Sequence, residues 1–355
     1  MKRPYERALV TGISGQDGAL LAAHLLRSGI DVAGTHRPGR EPDLWRLHEL
    51  GIAAHPRLQL HALDPADANA CAALVGAFAP DALFHLAGQS RVADSFVDPS
   101  ASIVANGTST VNLLEALRTH APQAHFVLAS SAEIFGAPMR SPQDEATPLA
   151  ARSPYGLSKL VAHAAVGSWR ASYGLRASSA ILFNHESELR DPAFVTRKLT
   201  RAVARIALGL DQSVLLGNLD ARRDFGYAPD YVAAMAVMAT CQSGDDYVLA
   251  TGVAASIREF ASAAFAAAGI ALEWSGTGAD EIGVERGSGT VRVRVDAALL
   301  RPFDAPLLVG DASKARGELG FAPSLDLAGL ARCMVEADLR RLRERQDADR
   351  EALQG

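Results

Sequence analysis

The chain has 355 residues, 48% of them hydrophobic, which is enough to bury a substantial core in one large domain or two. Its 35 basic and 40 acidic side chains leave a net charge of −5 and lie dispersed along the sequence, which argues against a nucleic-acid or membrane-surface footprint. Cys71, Cys241 and Cys333 are far apart, odd in number and without metal-ligand spacing, so no metal site is expected and the thiols read as buried and inert in a reducing compartment. No apolar run spans a bilayer, and the N-terminus runs straight into the first strand; a cytoplasmic protein is expected.

The first element pair is a strand, Ala8–Thr11, followed by Gly12, Gly15 and Gly18 and then an apolar helical run through Leu20, Leu21, Leu25 and Leu26. Glycines in such a turn let the backbone approach a phosphate, and the helix directs its free N–H groups and positive dipole end at it. Further strands are predicted at Val32–Thr35, Leu58–Leu63, Ala82–Ala87, His125–Ser130 and Ala177–Phe183, with helices between them, for example Ala68–Phe78 and Val104–Thr119. This alternation predicts an α/β fold of Rossmann type: a doubly wound parallel sheet, with a smaller α/β C-terminal substrate domain. The expected division is 1–183 for the dinucleotide domain and 184–355 mainly for the second, with segments near 222–250 returning to the first.

Ligands bind at the carboxyl ends of the strands in such sheets, and the chemistry-bearing residues fall there. The second strand ends in GTHRP (Gly34–Pro38), where Arg37 stands in place of the acidic residue of many NAD sites. A guanidinium pairs with a 2′-phosphate that a carboxylate would repel, so NADP is expected. Asp64 after the third strand is a candidate partner for adenine. LAGQS (Leu86–Ser90), with Leu86, Ala87, Gln89 and Ser90, closes the fourth strand with small residues beside the cofactor's middle. The fifth ends in SSAEIFG (Ser130–Gly136), a hydroxyl pair and a carboxylate at the mouth of a buried strand.

RSPYGLSK (Arg152–Lys159) opens the next helix, with Pro154 suited to its first turn. Tyr155 and Lys159 are four apart and share a helix face. An ammonium near a phenol favours the phenolate, making Tyr155 usable as an acid or base near neutral pH. Beyond Phe183 the pattern changes. Asn184–Ser187 and Arg190–Pro192 read as loop, followed by a basic helix with Arg197, Lys198, Arg201 and Arg205. Leu215–Asn218 reads as a short strand, and Arg222–Val232 leads into a helix. Ser256 caps a helix, Gly287–Gly289 turns a hairpin, and Met334–Gly355 reads as a solvated charged helix.

With these residues in view, the chain resembles the extended short-chain dehydrogenase/reductases and, more narrowly, the GDP-mannose 4,6-dehydratase family. The resemblance runs to about residue 325 and is carried by TGISGQDG (Thr11–Gly18), SAEIFG (Ser131–Gly136), YGLSK (Tyr155–Lys159), LFNHES (Leu182–Ser187), FVTRK (Phe194–Lys198), RDFGYAPDYV (Arg223–Val232) and LLVGDASK (Leu307–Lys314). It implies a redox-neutral reaction on a GDP-sugar. Hydride leaves C4 for NADP, the C5 proton and the C6 hydroxyl depart as water, and the hydride returns to C6. The product is a 4-keto-6-deoxy sugar.

The resemblance assigns Tyr155 as the base at the C4 hydroxyl, Lys159 as its modulator and nicotinamide-ribose ligand, and Glu133 as the acid/base at C5 and C6. Ser131 stands where threonine is usual, donating to the 4-oxygen. Gly12, Gly15, Gln16, Asp17 and Gly18 belong to the cofactor motif, and Asn184, Lys198, Arg223 and Arg301 match nucleotide-diphosphate contacts. Three departures stand out. Glu188–Arg190 replaces Pro-Arg-Arg, HRPGREP (His36–Pro42) replaces paired arginines that hold a neighbour's cofactor in tetramers, and Ser131 lacks a methyl that fixes its rotamer. A homodimer and a homotetramer both remain open. The alternatives are an NADP-dependent nucleotide-sugar reductase or epimerase, and a dehydratase of another GDP-sugar such as GDP-manno-heptose.

Overall fold

The computed structural model describes residues 5–39, 41–299 and 307–352. The chain starts with β1 (Arg7–Thr11), a turn at 12–15 and α1 (Gln16–Arg27), then β2 (Asp31–His36), α2 (Trp45–Glu49), β3 (Leu58–Ala62), α3 (Ala68–Phe78) and β4 (Ala82–His85). Next come α4 (Val92–Val97), α5 (Pro99–Ile103), a π-helical turn (Val104–Thr108), α6 (Ser109–His120), β5 (His125–Ala129), a 3-10 turn (Ala132–Phe135), α7 (Pro154–Tyr173) and β6 (Ala177–Leu182). The rest comprises β7 (Asn184–Glu186), α8 (Val195–Ala207), β8 (Val214–Leu216), β9 (Arg222–Tyr227), α9 (Ala228–Met238), β10 (Asp246–Leu249), β11 (Ala254–Ser256) and α10 (Ile257–Ala267). It ends with β12 (Leu272–Ser275), β13 (Ile282–Glu285), β14 (Val291–Val295), α11 (Ser313–Leu319) and α12 (Leu327–Ala352).

Seven strands form one parallel sheet in the order β3-β2-β1-β4-β5-β6-β10. Every residue of β4, β5 and β6 is buried. Strands covered on both faces must be apolar throughout, which is why they read as continuous runs. Phe84, Phe126, Leu83 and Leu9 are fully buried, each contributing about 1.5–3 kcal/mol relative to exposure. Strand order reverses between β1 and β4, and the register brings Thr11 opposite His85 at their carboxyl ends. That is the topological switch point where such sheets bind ligands.

The described residues of Met1–Phe183, Ala228–Gly252 and Leu308–Ala322 form one unit, and those of Asn184–Tyr227, Val253–Leu307 and Pro323–Gly355 a second. In the first, the return at Leu308–Ala322 is tied down by Gln143, which is fully buried. Its backbone bonds Val309 and Asp311 (both 2.7 Å), and its side chain accepts from the Val309 N–H (3.0 Å). The second unit has two small sheets, β11-β9-β7 and β12-β13-β14-β8, beside α8, α10 and α12.

Several local expectations are corrected. Asn184–Glu186 is a strand rather than loop, pairing in parallel with β9; the Arg222–Val232 stretch leads into a helix, α9, as expected, with β9 as its first part. Both strands are short and polar in sequence, so neither shows a period. The short strand expected at Leu215–Asn218 lies at Val214–Leu216. The single helix expected over Val104–Thr119 is a π-helical turn (Val104–Thr108) running into α6, and α5 precedes it. The C-terminal helix starts at Leu327 rather than Met334, and Met334, Val335 and Asp338 are buried, so its first turns are core. Asp338 pairs there with Arg197, a residue of the basic helix that is itself buried, and accepts from Thr200 Oγ1 (3.0 Å). Cys71 is buried, whereas Cys241 and Cys333 are half-buried; all three are free thiols.

Candidate active site

The three glycines of the first turn have three different reasons to be glycine. Gly12 has φ +75°, and a Cβ there would lie 2.8 Å from the Ala87 backbone N and Cα. Gly18 faces the Gly12 carbonyl so closely that a Cβ would collide with it. Gly15 is exposed, and an added Cβ would meet only the Gly12 carbonyl, at 3.3 Å. The turn is held by Gly12 and Ile13 N–H groups on the Thr35 carbonyl (3.1 and 3.0 Å). Gly15 stands at the N-cap of α1 and, having no side chain, makes no side-chain cap hydrogen bond. In the first turn of α1 Gln16 Nε2 donates to Asp17 Oδ1 (2.9 Å).

Around this turn lie Leu86, Ala87 and Gln89, half-buried, and Ser90, exposed. Arg37 is exposed at the end of β2, where His36 Nδ1 approaches its carbonyl (3.1 Å). Asp64 is exposed too, but its Oδ1 accepts the Ala66 N–H (3.0 Å), so part of its capacity goes to its own turn.

The strand β5 delivers Ser131 and Glu133. Ser131 is 9% exposed and caps the 3-10 turn, its Oγ accepting the Glu133 N–H (3.3 Å). Helix α7 begins with Ser153 Oγ accepting the Gly156 N–H (2.9 Å) and Pro154 in the first turn. That start holds Tyr155, whose N–H donates to the buried Ser95 Oγ (3.0 Å). At Gly156 a Cβ would lie 2.7 Å from the Glu133 carbonyl, so glycine lets the Tyr155 helix seat directly against the Glu133 turn. One helical turn on, Lys159 Nζ donates to the Ala129 carbonyl at the end of β5 (2.9 Å). Burial pushes the Lys159 ammonium down to about 8, opposed by the charge of Asp17. The first unit thus brings the glycine turn, Leu86–Gln89, Ser131, Glu133, Tyr155 and Lys159 to the carboxyl ends of β1, β4 and β5.

The remaining candidates lie in the second unit. Asn184 opens β7, in register with Phe225 next to Asp224 and Arg223 of β9. Arg223 is half-buried, with Nη1 on the Arg222 carbonyl (2.7 Å). Lys198 is exposed, its Nζ donating to the Leu215 carbonyl (2.8 Å). Arg301 lies outside the described residues. The segment that departs from the family pattern is anchored within this unit: Arg190 pairs with the buried Glu186 (3.2 Å) and covers the Phe194 ring, while the Glu188 carbonyl accepts from Arg341 (2.8 Å).

Sequence reasoning missed Thr11, His85 and Asn106, which tie the site together. Asn106 is 2% exposed and donates to the Gln89 carbonyl (3.1 Å) and Ser158 Oγ (2.8 Å); Ser158 in turn donates to the Tyr155 carbonyl (2.7 Å). It sits in the π-helical turn, a device frequent at functional sites that leaves no mark on hydrophobic periodicity. Among the described residues no group of three His, Cys, Asp or Glu side chains could hold a metal ion, and no helix is long and apolar enough to cross a membrane.

A doubly wound sheet with this glycine turn at its switch point and a Tyr/Lys pair one helical turn apart defines an extended short-chain dehydrogenase/reductase. The family model for GDP-mannose 4,6 dehydratase matches residues 9–334. The chain is 42% identical over 340 residues to a GDP-mannose 4,6-dehydratase of Sordaria araneosa, covering 95% of this chain and 62% of that one. It is 41% identical over 341 residues to a GDP-mannose 4,6-dehydratase of Sinorhizobium fredii, covering 95% and 97% of the two chains. The fold matches the solved dTDP-glucose 4,6-dehydratase of Streptomyces venezuelae with a TM-score of 0.76 at 23% identity, over 95% and 97% of the chains. The chain belongs to the GDP-mannose 4,6-dehydratase family.

Proposed function

We propose that this chain is a hydro-lyase that converts GDP-mannose to GDP-4-keto-6-deoxymannose by internal hydride transfer through NADP. The observation that carries the reading is the seating of Gly156 against the Glu133 backbone carbonyl, which sets the residue that bears a carboxylate directly beside the start of the Tyr155/Lys159 helix. A reductase or epimerase needs the hydroxyl, phenol and ammonium; elimination of water also needs a group that moves a proton between C5 and C6.

The cleft suits the cofactor. The glycine-capped start of α1, with Gly15 exposed, fits a pyrophosphate, and Arg37 fits a 2′-phosphate. When bound, NADP supplies the site that accepts the C4 hydride and gives it back at C6. Tyr155 takes the C4 hydroxyl proton as the ketone forms, with the Lys159 ammonium stabilising the phenolate, and Ser131 donates to the 4-oxygen. Glu133 removes the C5 proton, made acidic by the new ketone, and passes a proton to the departing C6 hydroxyl. Asn184, Lys198, Arg223 and Arg301 hold the diphosphate of the GDP-sugar. The free thiols fit a cytoplasmic setting. We assign the exposed apolar side chains of α4 and α7, Phe96, Val97 and Leu157, to an interface with a second copy.

Incubation of the purified chain with GDP-mannose and catalytic NADP should give a 4-keto-6-deoxy product with no net change in NADPH. Net NADPH consumption on a keto sugar would overturn the reading. The same assay with GDP-manno-heptose and a UDP-hexose defines the sugar.

A further inference from the structure

We propose that His85 is a positioning residue for the cofactor cradle: held as its Nε2–H tautomer, it links the Thr11 hydroxyl to the π-helical turn and so fixes the Leu86–Ala87 backbone against which the dinucleotide lies. The inference rests on reading this cleft as the NADP site.

The tautomer follows from counting protons. Thr11 Oγ1 lies 3.1 Å from the Leu86 N–H and 3.1 Å from the Ala87 N–H, and both of these groups can only donate. A hydroxyl has one proton and two acceptor sites. Both sites are filled, so the proton goes to His85 Nδ1, 2.8 Å away. Nδ1 is therefore the acceptor, and the ring proton of the neutral imidazole sits on Nε2, 3.1 Å from Ser109 Oγ. Ser109 Oγ passes its own proton to the Ala105 carbonyl (2.7 Å), inside the π-helical turn. The chain of donors is continuous and one-way, from the β4 exit through Thr11 and His85 to Ala105. Burial first, and the Lys159 charge second, push the His85 imidazole down to about 3, which keeps the ring neutral.

Both ends of this relay touch the cleft. At one end, Gly12 packs so tightly on Ala87 that any shift of Leu86–Ala87 meets the glycine turn. At the other, the π-helical turn carries Asn106, which holds the Gln89 carbonyl and, through Ser158, the helix of Tyr155. Thr11, His85 and Ser109 are 2% exposed or less, so a broken link leaves a buried polar group unpaired.

The test is NADPH affinity, read by fluorescence titration alongside thermal unfolding. His85→Phe, and still more Thr11→Val, which also strips the Leu86 and Ala87 N–H groups of their acceptor, should each weaken NADPH binding about tenfold or more. The double variant should be little worse than Thr11→Val alone, because that substitution already breaks the link to His85. Thr11→Ser, which keeps the hydroxyl, should restore affinity. A folded His85→Phe protein binding within about twofold of wild type, or fully additive losses, overturns the relay. Nitrogen-15 NMR of the folded wild-type chain decides independently of any variant: a protonated Nε2 with Nδ1 as acceptor is expected, and a protonated Nδ1 refutes the proposal. A wild-type chain that binds no NADPH overturns the cofactor assignment, whereas one that binds it equally well with and without His85 overturns the relay alone.

Discussion

Lys159 carries an ammonium into a place where burial disfavours it. Its folded value near 8 lies below the ordinary lysine value, so the unfolded chain holds more protons between the two. Stability from this group is therefore present at high pH, grows as pH rises from about 8, and is lost as pH falls through that value. Urea unfolding of the wild-type and Lys159→Met proteins should show a difference that changes by up to about 3 kcal/mol between pH 7 and 10.5. A pH-independent difference would show that the ammonium is as well solvated folded as unfolded. Glu133→Gln keeps size and the N–H bond to Ser131 but cannot shuttle a proton. Turnover should fall by about 10²–10⁴-fold, with NADPH affinity unchanged; retained turnover would make Glu133 structural. These residues were legible because their types and spacing are chemical. His85 and Thr11 were not, because their part comes from a register between strands 74 residues apart in sequence.

At the scale of elements, the glycine turn makes a sharper statement in three dimensions than as a motif. Sequence treats Gly12, Gly15 and Gly18 alike. In the structure Gly12 and Gly18 are packed hard against backbone, whereas Gly15 is exposed and an added Cβ would meet only the Gly12 carbonyl, at 3.3 Å. Gly18→Ala should therefore lower the melting temperature by several degrees, roughly the effect of 1–3 kcal/mol of overpacking. Gly15→Ala should leave melting nearly unchanged while weakening NADPH binding at least about tenfold, because the new methyl stands where a phosphate must approach. Equal effects on melting from the two substitutions would show that Gly15 also serves packing. The π-helical turn is the opposite case. The stretch Val104–Thr119 has the apolar spacing of one helix, and nothing in that spacing registers the widened turn. Polar bonds accompany it: Ser109 Oγ and Thr110 Oγ1 donate back to the Ala105 and Asn106 carbonyls (2.7 and 2.6 Å).

For the whole molecule, the central sheet was legible because its strands are buried on both faces and must be apolar. The second unit was not. Its strands β7 and β9 are three and six residues long, with Asn184, Arg222, Arg223 and Asp224 among them, and pairing rather than pattern makes them strands. Surface, too, escapes a single sequence, and it carries the last prediction. Phe96 is 59% exposed, Val97 87% and Leu157 49%, on α4 and α7, which pack together. Burial of such side chains stabilises an interface by about 1.5–3 kcal/mol each. The face also adjoins chemistry, since Ser95 beside Phe96 accepts the Tyr155 N–H. A second copy seated there would hold α4 against α7 and steady the start of the Tyr155 helix. Phe96→Glu with Val97→Glu should weaken self-association by at least about 100-fold in sedimentation velocity, and turnover should fall as the protein dissociates. A wild-type chain that sediments as a monomer at micromolar concentration would refute the interface, and a dimer indifferent to both substitutions would move it elsewhere. Dissociation without loss of turnover would show that each copy orders Tyr155 by itself, through Ser95 and Gly156 alone.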